Sequence, residues 1–357
     1  MKCYVKFLFC VLAGLAILLS ACGDDPLRPS EPSDEIEVKD SSIFEWSFIP
    51  VPAFDFYDTY IADTNAIFYI GDGKVYLCDG TNSIRIYDNV NGSAYAIDGS
   101  GNEQIFIGGY KQGSLNSTPF LKKWNGAIFE DILLPADSNN AVWKICVESA
   151  TSVWFAGLNG RIYHYDGVNV TSHRIAIPTT FPKFFMNDNS VYYYTETYTP
   201  NVIAHVYKFD GTHWQQINTD SSSPPLSWSG MELLEPGSHI LRKTPKYIEE
   251  FNGSSWNRVL RTSTFEAYSA AGENLTDILT IGIPDGTLYF VPHYFNGKKW
   301  FKEPGIYYPD SQFGLFPIEI KKCKEVYFGF YHPIHTISHN YILVGKKMPQ
   351  RHLFLPN

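Results

Sequence analysis

A six-residue phrase recurs along the chain, and its clearest copy is Phe209-Asp210-Gly211-Thr212-His213-Trp214. An aromatic residue leads into Asp or Asn, then Gly, and a Trp or Phe follows three residues after the Gly. Near-copies begin at Trp124-Asn125-Gly126, Tyr165-Asp166-Gly167, Phe251-Asn252-Gly253 and Phe295-Asn296-Gly297, and a weaker one is Cys78-Asp79-Gly80. Taken at the Gly, the spacings are 46, 41, 44, 42 and 44 residues. A fixed period in this range marks an architecture in which each unit buries its apolar surface only by stacking on its neighbours.

The third unit shows what one repeat contains. Strand signals cover Val142–Val147, Ser152–Ala156, Arg161–Asp166 and Asn169–Ile175, with turn residues between them. Asp-Gly and Asn-Gly suit a tight type I′ hairpin, because both of its central residues need positive φ. Four antiparallel strands in each period are the signature of β-propeller blades. No helical period follows the first twenty residues. Aromatic residues make up 16% of the chain and charged residues only 18%, as expected when both faces of every sheet are covered by another. Trp214, Trp256 and Trp300, with Phe129 in the second unit, read as plugs that open each outermost strand. The fold class is therefore all-β, a propeller of seven four-stranded blades, with six or eight blades as the alternatives.

The seventh blade must be split. Leu315–Lys321, Glu325–Tyr331 and Tyr341–Lys346 supply three strands of a last unit with no fourth. Near the start, Asp40-Ser41-Ser42-Ile43-Phe44-Glu45 aligns with Asn125-Gly126-Ala127-Ile128-Phe129-Glu130, so it is an outermost strand without its own blade. A ring has to close, since an open end leaves a bare sheet edge. Ile43–Ile49 is expected to complete the last blade. In the competing arrangement the tail, Gln350–Leu355, does so.

Residues 1–21 read as an export signal, with Lys2 and Lys6 ahead of an apolar run from Phe7 to Leu19. The run is short for a membrane span, which takes about 20 residues. It ends in Leu19-Ser20-Ala21-Cys22, which resembles the lipobox of bacterial lipoproteins. That resemblance implies cleavage before Cys22 once its thiol carries diacylglycerol, and a membrane partner through that lipid. Residues 22–40 are rich in Pro, Ser and acid and read as a flexible acidic tether, leaving 41–357 as one propeller domain. Gly23 after the Cys implies no inner-membrane retention by enterobacterial sorting. Asp24 and Asp25 resemble the acidic export tag of surface lipoproteins in Bacteroidota-like bacteria. The expected address is the bacterial cell envelope, on the outer membrane or cell surface.

The repeats themselves resemble kelch-like and two-component-regulator-type propeller repeats, the latter most clearly at Leu158-Asn159-Gly160-Arg161-Ile162-Tyr163-His164-Tyr165-Asp166-Gly167. The kelch Gly pair occurs clearly only at Gly108-Gly109, no Trp-Asp dipeptide is present, and no sialidase-type Ser-x-Asp-x-Gly-x-x-Trp box is present. These motifs imply a fold and no activity.

The formal net charge is -9, or about -11 once Lys2 and Lys6 are removed. With no Lys/Arg cluster, nucleic acid is not an expected partner. Outside the leader and Cys22, the cysteines are Cys78, Cys146 and Cys323, read as buried thiols with no disulfide framework. No serine-hydrolase elbow, His-Glu-x-x-His, Walker loop or EF-hand spacing occurs, and no cofactor is expected. His332, His335 and His339 are the best metal candidate. In a four-stranded blade, the connections between second and third strands share a face with those between blades. Tyr110, Tyr198, Trp228, Tyr307 and Tyr308 fall on such connections and are the candidate ligand-face residues, suited to a protein or glycan partner. The expected function is a lipid-anchored envelope binding module. The alternatives are a polysaccharide hydrolase or lyase, with carboxylates such as Glu196, Asp220 and Asp310, and a structural subunit of an envelope complex.

Overall fold

The computed structural model describes residues 36–38, 43–52, 55–88, 91–112, 117–135, 141–157, 160–176, 182–187, 190–197, 203–220, 240–244, 247–262, 265–284, 290–303, 315–333 and 340–348. Every regular element among them is a strand, and they form a seven-bladed β-propeller. The first two strands, β1 (Ile36–Val38) and β2 (Phe44–Val51), belong to late blades. Blade one is β3 (Phe56–Asp63), β4 (Ala66–Gly71), β5 (Lys74–Cys78) and β6 (Ser83–Tyr87). Blade two is β7 (Gly92–Gly99), β8 (Ile105–Gln112), β9 (Ser117–Trp124) and β10 (Phe129–Ile132). Blade three is β11 (Lys144–Ser149), β12 (Ser152–Ala156), β13 (Arg161–Tyr165) and β14 (Val170–Arg174). Blade four is β15 (Lys183–Asn187), β16 (Ser190–Thr197), β17 (Ile203–Phe209) and β18 (Trp214–Asp220). Blade five shows β19 (Ile240–Thr244), β20 (Tyr247–Phe251) and β21 (Trp256–Arg261) among the described residues. Blade six is β22 (Phe265–Asn274), β23 (Asp277–Pro284), β24 (Val291–Phe295) and β25 (Trp300–Lys302), and blade seven contains β26 (Leu315–Cys323), β27 (Val326–Pro333) and β28 (Asn340–Lys347).

The ring closes as expected from the phrase at residues 40–45. Strand β2 pairs antiparallel with β28 from Phe44 opposite Lys347 to Val51 opposite Asn340, so it is the outermost strand of blade seven. Its side chains alternate between two interfaces, as strand geometry dictates. Phe44, Trp46 and Phe48 pack into the core between blades six and seven. Ile49 and Val51 pack with Phe56, Ile67 and Tyr69 of blade one. A buried carboxylate fixes the entry of the strand: Ile43 N donates to Glu303 Oε1 (3.1 Å) and Oε2 (3.2 Å), and Trp46 Nε1 donates to Glu303 Oε2 (3.4 Å). One element extends this arrangement. Ile36–Val38 pairs parallel with Trp300–Lys302, so strand pairing begins inside the segment read as tether.

The repeated phrase forms the turn between the third and fourth strands, but it is not a two-residue type I′ turn. Phe209 pairs with Trp214, which leaves Asp210–His213 as a four-residue loop. Asp210 Oδ1 accepts the backbone N–H groups of Thr212 (2.8 Å) and His213 (2.7 Å). Asp79, Asn125, Asp166, Asn252 and Asn296 accept from their second and third following residues in the same way. The side-chain oxygen thus does the capping, and only the Gly takes positive φ, +97° at Gly211. A side chain there would meet no atom within 4 Å, so backbone conformation alone calls for glycine. Across the turn the two aromatics meet, with ring centroids 5.3 Å apart for Phe209–Trp214 and 5.0 Å apart for Phe251–Trp256 and Phe295–Trp300. A turn with both central φ positive occurs at Asp72-Gly73, between β4 and β5. Cys78 and Cys146 are buried, and none of Cys78, Cys146 and Cys323 is in a disulfide.

Blades six and seven also share a partly buried ion cluster. Asp277 Oδ2 accepts from Lys322 Nζ at 2.6 Å and from Tyr327 Oη at 3.1 Å, while Oδ1 accepts from Tyr294 Oη at 2.7 Å and Lys347 Nζ at 3.0 Å. Burial alone would raise this carboxyl, but the bonds from Lys322, Tyr294 and Lys347 outweigh burial and hold it at about 2.

Two outcomes follow for stability. Phe44→Ala removes a ring that is 1% exposed and should cost about 3–5 kcal/mol in denaturant unfolding; a midpoint unchanged from wild type would contradict the closure. Because the folded pKa of Asp277 lies below the usual carboxylate value, its contribution is present above about pH 4 and is lost as pH falls toward 2. The stability gap between wild type and Asp277→Asn should therefore narrow by on the order of 1–2 kcal/mol between pH 5 and pH 2. Parallel pH profiles would show that the cluster does not carry that dependence.

Candidate functional site

Chain direction alternates across each blade, which gives the ring two unlike faces. One carries the connections between blades and those between second and third strands, and it is the loop face. The other carries the remaining hairpin turns. In blades one and two the innermost strand is bulged near its loop-face end. The register of β3 steps from Phe56 to Asp58 and that of β7 from Ala94 to Ala96, so Tyr57 and Tyr95 are the extra residues. The same step occurs at Tyr268 in β22 and Ile318 in β26. A bulge re-aims the side chain it carries.

Here it brings rings from three blades into one cluster. Tyr95 lies against Trp143, which precedes β11, with centroids 4.4 Å apart and planes 5° apart. Tyr110 of β8 stacks beside Tyr95 at 5.5 Å, and Tyr57 meets Tyr95 edge-on at 5.2 Å. Despite this packing, Tyr57 is 45% exposed and Trp143 is 38% exposed. Backbone bonds hold the parts in place. Val142 N donates to Gly109 O (3.0 Å), tying the start of blade three to blade two, and Trp143 N donates to Ala156 O (2.8 Å) within blade three. Any side chain at Gly109 would sit 2.0 Å from the Ser93 carbonyl oxygen, so β8 approaches the bulge of β7 only as glycine.

The Tyr57 and Tyr95 phenols stay neutral near pH 7. Burial pushes Tyr95 up to about 12, helped by the neighbouring Tyr110 hydroxyl. Burial also raises Tyr57, and the carboxylates of Asp55 and Asp72 add to it. Asp72 Oδ1 accepts from Asp55 N at 3.0 Å, and both side chains are exposed beside Tyr57. The cluster therefore offers ring faces, phenolic hydroxyls and two flanking acids. Such groups bind by contact area and hydrogen bonding.

Of the expected ligand-face residues, Tyr110 joins this cluster. It is on a strand rather than in a loop, because β8 and β9 run on to Gln112 and from Ser117 and pair Tyr110 with Pro119. Tyr198, Trp228, Tyr307 and Tyr308 lie outside the described residues, as do Cys22, His335, His339, Asp310 and the tail at 350–355. His332 is in β27, paired with Phe316. Among the described residues no group of three or more His, Cys, Asp and Glu side chains is arranged to hold a metal ion. Glu196 is 3% exposed and accepts a 2.5 Å bond from the Tyr194 hydroxyl. Asp220 is bound by Arg242, which also bonds Glu249. Both carboxylates are thus engaged within the protein. Tyr57, Tyr95 and Trp143 are not visible as candidates in the sequence, because a bulge breaks the alternation that would reveal them. The only local sign is an aromatic set among small residues, as in Ala94-Tyr95-Ala96.

No protein family's sequence profile matches the chain, and no curated protein matches it in sequence. Solved structures do match in three dimensions. YCF48 bound to D1 peptide is 14% identical over 89% of this chain and 99% of that one, with a TM-score of 0.57. The WD40 β-propeller domain of Doa1 is 11% identical over 85% of this chain and 96% of that one, with a TM-score of 0.54. The extracellular domain of the hybrid two-component system BT4673 from B. thetaiotaomicron is 13% identical over 88% of this chain but only 39% of that one, with a TM-score of 0.53. At such identities the likeness establishes the propeller fold alone.

Proposed function

We propose that this protein is a lipid-anchored envelope module whose propeller binds a polypeptide partner on its loop face. The observation that carries the reading is the cluster of Tyr57, Tyr95, Tyr110 and Trp143, in which Tyr57 and Trp143 stay exposed although each ring contacts another. Rigid aromatic side chains give large contact area at small entropic cost and recur as anchors of protein interfaces. Asp55 and Asp72 beside Tyr57 favour a partner segment with a basic residue next to its anchor. Tyr198, Trp228, Tyr307 and Tyr308 belong to the same surface in this proposal. The likeness to YCF48, solved with a peptide, supports a propeller of this shape as a peptide receptor. The likeness to an extracellular domain of a two-component system supports an exported setting. The anchor is the thiol of Cys22, and the kelch-like or regulator-type character of the repeats is part of the same proposal.

The binding reading is tested by panning a displayed peptide library on the full-length protein. Peptides enriched by wild type should bind Trp143→Ala or Tyr57→Ala at least about tenfold more weakly. Because both side chains are substantially exposed, the unfolding free energy should shift by about 1 kcal/mol or less. Peptides that keep full affinity for both variants would refute the site. The anchor is tested separately: Cys22→Ser should move the protein from the membrane fraction to the soluble one, and unchanged membrane retention would refute lipidation.

A further inference from the structure

On the opposite, turn-bearing face, a groove of about 680 Å³ opens between blades three and four. That volume lies within the roughly 300–1,000 Å³ range of small-ligand sites. Trp154, 2% exposed, forms part of its lining and stacks on His164 at 4.2 Å. Phe209 lines it from blade four and meets Trp154 edge-on at 4.6 Å. The polar lining is organised. Ser152 Oγ lies 2.8 Å from Glu148 Oε2 and 2.8 Å from His164 Nε2, so one hydroxyl bridges a carboxylate and an imidazole. Burial lowers the His164 pKa below its ordinary value, which keeps the ring neutral at pH 7. Lys208, half-buried on the facing blade, holds its ammonium 5.5 Å over the Tyr192 ring and makes no ion pair among the described residues.

Asp210 also lines the groove, but its two oxygens are taken by Thr212, His213 and Gln215. The groups left for a ligand are then the Glu148 carboxylate, the Lys208 ammonium, the Ser152–His164 pair, the Ser190 hydroxyl and the Gln215 amide oxygen. Counting Asp210, the lining carries two carboxylates and one ammonium. Acceptors and donors line the groove beside the Trp154 and Phe209 rings, a set matched by a molecule whose every polar group both donates and accepts. A lone anion would face Glu148 and a lone cation would face Lys208, so charged ligands are disfavoured. We propose that this groove is a second binding site and that it takes a neutral oligosaccharide, with Glu148 accepting from sugar hydroxyls and Lys208 donating to them.

The proposal stands apart from the loop-face reading, and its test separates them. The full-length protein is applied to a printed array of neutral gluco-, galacto- and manno-oligosaccharides and uronate oligosaccharides. Wild type should bind at least one neutral series. Glu148→Gln and Lys208→Met should each weaken that binding at least tenfold, while Trp143→Ala leaves it unchanged. The proposal is overturned by the absence of any neutral-sugar binding, by binding to uronates alone, or by binding that survives both groove substitutions.

Discussion

The pairing of β2 with β28 is the constraint on which the rest of the structure depends. Seven small sheets arranged in a ring have no stable partial form, because the first and last would each present an uncovered apolar face. The chain meets this by giving blade seven its outer strand from near the other end of the sequence. One face of β2 seals the junction with blade six and the other seals the junction with blade one. Glu303, 1% exposed, then holds the backbone and indole at the start of the strand. Strand β1 adds a short parallel pairing to blade six just before this point.

Closure has a second consequence, since it holds the innermost strands side by side around the axis. There the blades bond to one another through side chains. Asp58 of blade one accepts from Ile97 N of blade two at 3.0 Å, and Asp98 of blade two accepts from Val147 N of blade three at 2.7 Å. Ser269 of blade six accepts from Ile320 N of blade seven at 2.7 Å. Lys144 of blade three reaches Asp58 of blade one at 2.7 Å. These bonds set the spacing at which the bulges of β3 and β7 meet the start of β11. The aromatic cluster is therefore a product of the ring, with no single blade containing it. The groove on the other face likewise needs two blades in contact.

The architecture was legible because its determinants are local and repeated. Asx-Gly followed by an aromatic marks one turn in each blade, and its period gives the blade number. The partial copy at residues 40–45 identifies the closing strand, and Phe44 sits where the comparison with Phe129 places it. The turn type was not legible. Asp and Asn suit both a type I′ turn and a side-chain-capped loop, and only the pairing of Phe209 with Trp214 separates them. The sites were harder still. Tyr110 was visible as a candidate, but its partners come from two strand bulges, at Tyr57 and Tyr95, and from Trp143 just before β11, all more than a dozen residues away. Ser152 and His164 are both in the third unit, yet their contact depends on the register that sets Trp154 opposite His164. Single-chain pattern carries no information of that kind.

Native-state hydrogen exchange resolved by residue tests the closure most directly. If β2 completes the ring, amides of Phe44–Val51 that bond to β28 open only with the whole domain. Their exchange should follow the same free energy and denaturant dependence as the amides of Asn340–Lys347. Exchange of residues 44–51 at a markedly lower free energy, with β28 still protected, would contradict the account, because the ring would then persist without its closing strand.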